Sequence, residues 1–193
     1  MLRKSQFFAA TLLALGSLGS LPAQANLVTN GGFETGDFTG WGNGFNAVWD
    51  GVDGLAPQSG SFAAFFGNPG GISTISQSLS TVAGSLYSIS FWLQNEADVT
   101  GNAVPNSFEF DWDGVTQMSL TNAPGSGYIE YTFQLVASGA TTNLAFNFSQ
   151  TAAFWDFDTV VVEAATVPEP GSLPLLAVGG VLAFATLRAR KNS

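Results

Sequence analysis

Cysteine and histidine are absent from the 193 residues, and charged side chains make up only 10% of them, far below the ~25% of an ordinary soluble domain. The five basic residues sit at the ends: Arg3, Lys4, Arg188, Arg190 and Lys191. Residues 26–166 hold 13 Asp and Glu and no Lys, Arg or His. Each absence excludes a chemistry. Without cysteine there are no disulfides, thiol nucleophiles or thiolate metal sites. Without histidine there is no Ser-His-Asp arrangement and no ordinary zinc or haem ligation. Without a base between 26 and 166 there is no phosphate-binding lysine, no Schiff-base lysine and no means of neutralising a nucleic-acid backbone. Three capacities survive: carboxylate chemistry, hard cations held through oxygen, and recognition by aromatic and amide groups.

The two ends read as targeting segments. Met1–Lys4 is basic, Phe7–Leu18 is apolar, and Ala23-Gln24-Ala25 is a small-x-small site. This is the layout of a secretory signal peptide cleaved between Ala25 and Asn26. At the other end, Val167-Pro168-Glu169-Pro170-Gly171 precedes an apolar run, Leu173–Leu187, and then Arg188-Ala189-Arg190-Lys191. Fifteen helical residues span about 22 Å, and terminal arginines extend that reach into the interface. The basic end should stay cytoplasmic, leaving 26–166 outside. The expected organisation is a signal peptide over 1–25, a body over 26–166 and a tail over 167–193.

That tail resembles the PEP-CTERM sorting signal, with Pro168, Glu169 and Pro170 as its motif, a short hydrophobic transmembrane helix and a basic end. The resemblance implies transient insertion in the inner membrane of a Gram-negative bacterium. It also implies processing by a membrane protease of the exosortase type, and delivery to the cell surface or an extracellular, biofilm-type matrix.

The body carries 18 glycines and 22 aromatics, and its apolar pattern has period two, not 3.6. Tyr87, Ile89, Phe91 and Leu93 share one strand face, and Phe108, Phe110 and Trp112 another. Ile129, Tyr131, Phe133 and Leu135 form a third, and Leu144, Phe146 and Phe148 a fourth. Shorter strands are expected at 45–50, 61–66, 72–80 and 154–163. Asp113-Gly114 suits a two-residue hairpin turn. Eight or nine strands, each with one apolar face, predict an all-β fold: a two-sheet antiparallel sandwich, or jelly roll. No fixed-period repeat supports a solenoid.

The opening Asn26-Leu27-Val28-Thr29-Asn30-Gly31-Gly32-Phe33-Glu34 with Trp41, and the closing Trp155-Asp156-Phe157-Asp158-Thr159-Val160, resemble the first and last segments of galactose-binding-like jelly rolls. Family 4 carbohydrate-binding modules are among these. Thr159 stands where a second Asp is common. The resemblance implies a structural calcium held in part by Glu34 and Asp158, completed by backbone carbonyls and water.

Other candidates come from the residues themselves. Asp50-Gly51-Val52-Asp53-Gly54 and Asp111-Trp112-Asp113-Gly114 read as acidic loops without the 12-residue calcium pattern. Glu109, Asp111 and Asp113 read as a solvated strand face. Trp92 lies opposite the apolar face of its strand, so it is either covered by a loop or open to contact carbohydrate. The expected protein is exported and non-enzymatic, with a jelly-roll body that contacts polysaccharide. The alternatives are a structural matrix component without a dedicated ligand, or a carboxylate-based glycoside hydrolase, which needs two placed carboxyls.

Overall fold

The computed structural model describes residues 25–42, 44–96, 105–151 and 153–165. The proposed signal peptide, apart from Ala25, and the whole sorting tail lie outside these residues. The described chain is all-β, with nine strands: β1 Asp50–Asp53, β2 Ala63–Phe66, β3 Ser73–Ser80, β4 Leu86–Asn95, β5 Asn106–Trp112, β6 Val115–Thr121, β7 Ser126–Val136, β8 Thr141–Gln150 and β9 Trp155–Ala164. They form two sheets, ordered β1-β2-β9-β4-β7 and β3-β8-β5-β6. Every pairing is antiparallel. No helix among the described residues is long and apolar enough to cross a membrane.

Alternation decides which side chains meet between the sheets. Ile89, Phe91 and Leu93 from one sheet face Phe108, Phe110, Leu144, Phe146 and Phe148 from the other, all buried. The rings contact one another across the interior: Phe91 and Phe146 lie 5.1 Å apart edge to face, and Phe66 stacks on Phe148 at 3.9 Å. Each fully buried ring contributes roughly 1.5–3 kcal/mol through area removed from water.

Two local expectations differ from the structure, and one strand was not expected. The segment 45–50 forms a turn, because Asn46 organises it: its carbonyl accepts from the Trp49 and Asp50 amides, and its side chain accepts from the Val48 amide. Such local bonds compete with a ladder. The supposed acidic loop at Asp50 is instead strand β1. The unexpected strand is β6, whose apolar alternation is interrupted by a bulge opposite Phe110 and Asp111. The hairpin turn before it is as expected, with Asp113 and Gly114 both at positive φ, 54° and 75°.

The opening segment continues the line of β2 along β9. Leu27 donates to the Val162 carbonyl, Val160 donates to the Gly31 carbonyl, and the Asn26 side chain bonds Val160 and Val162. A Cβ on Gly31 would stand 2.1 Å from the Val160 oxygen, so only glycine permits this approach.

Candidate functional site: a carboxylate and aromatic pocket on the outer sheet face

The site begins with a bulge in β9. Ser90 of β4 opposes Val161 and Trp92 opposes Asp158, so one β4 residue faces Thr159 and Val160 together. Thr159 takes φ 53° there. The irregularity lets Trp155 and Phe157, then Val160 and Val162, all point into the core. Asp156 and Asp158 consequently face the other way, onto the outer side of the five-stranded sheet.

The long β1–β2 connection, residues 54–62, folds over that outer side. Gln58 and Ser59 donate their amides to Asp158 Oδ2, each at 3.0 Å. Ser61 and Phe62 donate theirs to Glu34, at 2.9 Å and 3.2 Å to Oε1. The Tyr128 hydroxyl of β7 donates to the Ala56 carbonyl at 2.8 Å. Burial pushes the Asp158 carboxyl up, against the amide bonds that pull it down. Burial also pushes the Tyr128 hydroxyl up, reinforced by Asp156, Asp158, Asp53 and Glu96.

Glu34 and Asp158 are thus brought to one place from opposite ends of the body. A Cβ on Gly32 would meet Asp158 Oδ1 and Glu34 Cγ, each at 3.8 Å. Both carboxylates point at amide donors of the 58–62 segment. Gly60, at φ 65°, makes room for this: a Cβ there would lie 2.2 Å from Glu34 Oε1. Among the described residues, no three His, Cys, Asp or Glu side chains are grouped to hold a metal.

Beside this staple, a pocket of about 300 Å³ opens, lined by Asp53, Leu55, Ala56, Phe65, Glu96, Phe154 and Asp156. Strand register assembles it. Asp156 lies between Phe65 of β2 and Gln94 of β4. Two glycines seat the aromatic walls: a Cβ would meet the Phe65 ring at 2.6 Å from Gly51, and the Phe154 ring at 2.4 Å from Gly67. The two rings meet edge to face at 5.4 Å. Asp156 is 5% exposed, and its Oδ2 accepts from Gln94 Nε2 at 2.9 Å. Burial first, then the charges of Glu96 and Asp53, push its carboxyl up to about 7 against the Gln94 bond. Ring edges beside carboxylate acceptors can hold a small polyhydroxylated ring, C–H groups on the Phe walls and hydroxyls on the acids.

Trp92 is half-buried on the same face, one pair along β4 from Gln94, opposite Glu130 and Asp158. It does not line the pocket. On the other sheet, Glu109 and Asp111 do share the outer face, but Asp113 sits in the hairpin turn. Asp111 is tied to Asn147 at 2.8 Å. Sequence reasoning had not singled out Asp53, Phe65, Glu96, Phe154 or Asp156 as a site. Alternation does point Phe65 and Asp156 outward, but only the register places them side by side.

No family model matches the chain, and no curated protein does. Solved structures do. TmCBM61, solved with β-1,4-galactotriose, superposes with TM-score 0.55 at 18% identity, over 73% of this chain and 99% of that one. A xylan-binding domain of class CBM 22 gives 0.53 at 16%, over 75% and 99%. The enzymatically active domain of bacteriophage CBA120 tailspike protein 4 gives 0.54 at 14%, over 72% of this chain and 21% of that one. At these identities the likeness establishes the fold, a sandwich shared with carbohydrate-binding modules.

Proposed function

We propose that this chain is an exported, non-catalytic surface or matrix protein whose jelly-roll body binds polysaccharide through the outer-face pocket. The observation that carries the reading is the pocket itself: two glycine-seated phenylalanines and three carboxylates, on a fold shared with a module solved with β-1,4-galactotriose and with a xylan-binding domain. Trp92 extends the same face about 7 Å along β4 from Gln94 and supplies a second contact. A glycan array with the full-length chain in a non-glycosidic detergent tests this. Binding should fall about tenfold or more in Phe65→Ala and in Phe154→Ala, since stacked rings dominate such contacts. An empty array, or binding indifferent to both substitutions, overturns the assignment to this pocket.

The resemblance adds calcium to the proposal, with Glu34 and Asp158 as its carboxylates. Their convergence beside Gly32 supports the location. The amides of 58–62 compete for the same oxygens, so binding requires that segment to turn its N–H groups away and present carbonyls. Calorimetry with added Ca²⁺ should then raise the melting temperature by about 4–8 °C. The rise should vanish in Glu34→Ala and Asp158→Ala. No rise in the parent chain removes the metal from the reading.

One observation favours a second reading. Asp156 and Glu96 line the same pocket, burial with the Glu96 and Asp53 charges pushes the Asp156 carboxyl up to about 7, and a placed pair of carboxyls, one of them raised, is what a glycoside hydrolase uses. Incubation of array-positive oligosaccharides with the protein decides between the two. Shortened products lost in Asp156→Asn and Glu96→Gln would make it an enzyme.

A further inference from the structure

Asp53, Glu96 and Asp156 line one small pocket, and residues 26–166 contain no positive side chain to balance them. The Gln94 amide is the single hydrogen-bond donor to Asp156 among the described residues, and it occupies Oδ2. Oδ1 of this 5%-exposed residue accepts nothing there. The remaining walls are Phe65, Phe154, Leu55 and Ala56. A hard metal ion wants six or more oxygens and no hydrocarbon around it, and the described acids are not grouped to hold one. An organic ammonium suits both halves of the pocket. Its charge meets the carboxylates, its N–H groups reach the open oxygen, and its hydrocarbon frame lies on the rings, where cation–π attraction adds to contact.

We propose that the pocket selects an amino sugar carrying a free ammonium group, as in a de-N-acetylated glycan, over neutral and N-acetylated sugars. The inference rests on the polysaccharide-binding reading and narrows its ligand class. Burial and the neighbouring Glu96 and Asp53 already push the Asp156 carboxyl up to about 7. An incoming ammonium favours the ionised form, so binding at about pH 5.5, where the sugar amine already carries its proton, expels a proton from Asp156 that a neutral sugar would leave in place.

Isothermal titration of the full-length chain, in a non-glycosidic detergent at physiological salt, compares an oligomer of β-1,4-linked glucosamine with its fully N-acetylated counterpart and with oligolysine. The glucosamine oligomer should bind about tenfold or more tighter than its N-acetylated counterpart, which has no ammonium to pair with the carboxylates, and than oligolysine, whose ammonium stands on a flexible chain with no sugar ring to lie on the Phe walls. Asp156→Asn and Glu96→Gln should each erase most of that preference. Glu109→Gln, which removes the same charge from the opposite sheet, should leave it unchanged. The heat of binding should vary with buffer ionisation for the glucosamine oligomer alone. Equal affinity for both sugars, lost in Phe65→Ala, overturns the amino-sugar inference and keeps the polysaccharide reading. Binding of neither sugar overturns the amino-sugar inference, and the polysaccharide reading then stands or falls on the glycan array. Equal binding of oligolysine, or an equal loss in Glu109→Gln, reduces the effect to general attraction between opposite charges and overturns the inference.

Discussion

Asp156 shows how far one side chain's setting can move its chemistry. Its outward direction follows from alternation with Trp155 and Phe157, but its depth comes from Phe65 and Gln94 on the flanking strands. Burial, with Glu96 and Asp53 nearby, raises its folded-state pKa from the ordinary 3.8 to about 7. The folded protein therefore holds a proton between those values that the unfolded chain releases. Stability falls as pH climbs through that window, and the penalty is complete above about 7. A shift of this size corresponds to at most about 4 kcal/mol, and solvent at the pocket mouth screens it to roughly 2 kcal/mol. Asp156→Asn should thus stabilise the protein by that amount at pH 8 and leave it little changed at pH 4. Urea denaturation at both pH values measures it, and an equal effect at the two would contradict the raised pKa.

At the scale of elements, the 54–62 connection behaves as a strap tied at both carboxylates. Four backbone amides end on Glu34 or Asp158, which joins the first segment, the strap and the last strand. Amide bonds to a charged acceptor are each worth ~1.5–3 kcal/mol when buried, and Glu34 is exposed, so Glu34→Ala should cost about 2 kcal/mol. Gly60→Ala should cost a similar amount, since a non-glycine residue in a left-handed conformation costs roughly 1–3 kcal/mol. The two should be strongly non-additive, because the added Cβ collides with the Glu34 carboxylate itself. A double-mutant cycle in urea reads the coupling, and strict additivity would show that the strap is not held there. Thr159 belongs to the same element. Its strained φ is held by Ser59 and Gln58 across the strap, which gives a local reason for threonine where the resembling jelly rolls often carry aspartate.

For the molecule as a whole, the tail and the body make separable demands. Replacing Pro168, Glu169 and Pro170 with Ala removes the proposed protease cue and leaves the apolar run and basic end as an anchor. The expected outcome is normal export with retention in the inner membrane, read by fractionation and immunoblotting; release at unchanged mature mass would contradict it. Nothing in that outcome depends on the sandwich. The sequence by itself determined the fold class, because a residue's inward or outward direction in a strand is a local property with period two. Tyr87 to Leu93, Phe108 to Trp112 and Leu144 to Phe148 could therefore be assigned to a core without knowing what they face. It also excluded whole chemistries, because a missing His, Cys or Lys is missing in every conformation. Only the tertiary structure decided that Asp53, Phe65, Glu96, Phe154 and Asp156 form one pocket. They lie up to 103 positions apart, and they meet through strand order, register and the β9 bulge. The same physics hid the turn at Asn46 and strand β6: a side chain bonding its own backbone, or one extra residue in a ladder, alters the period that the pattern relies on.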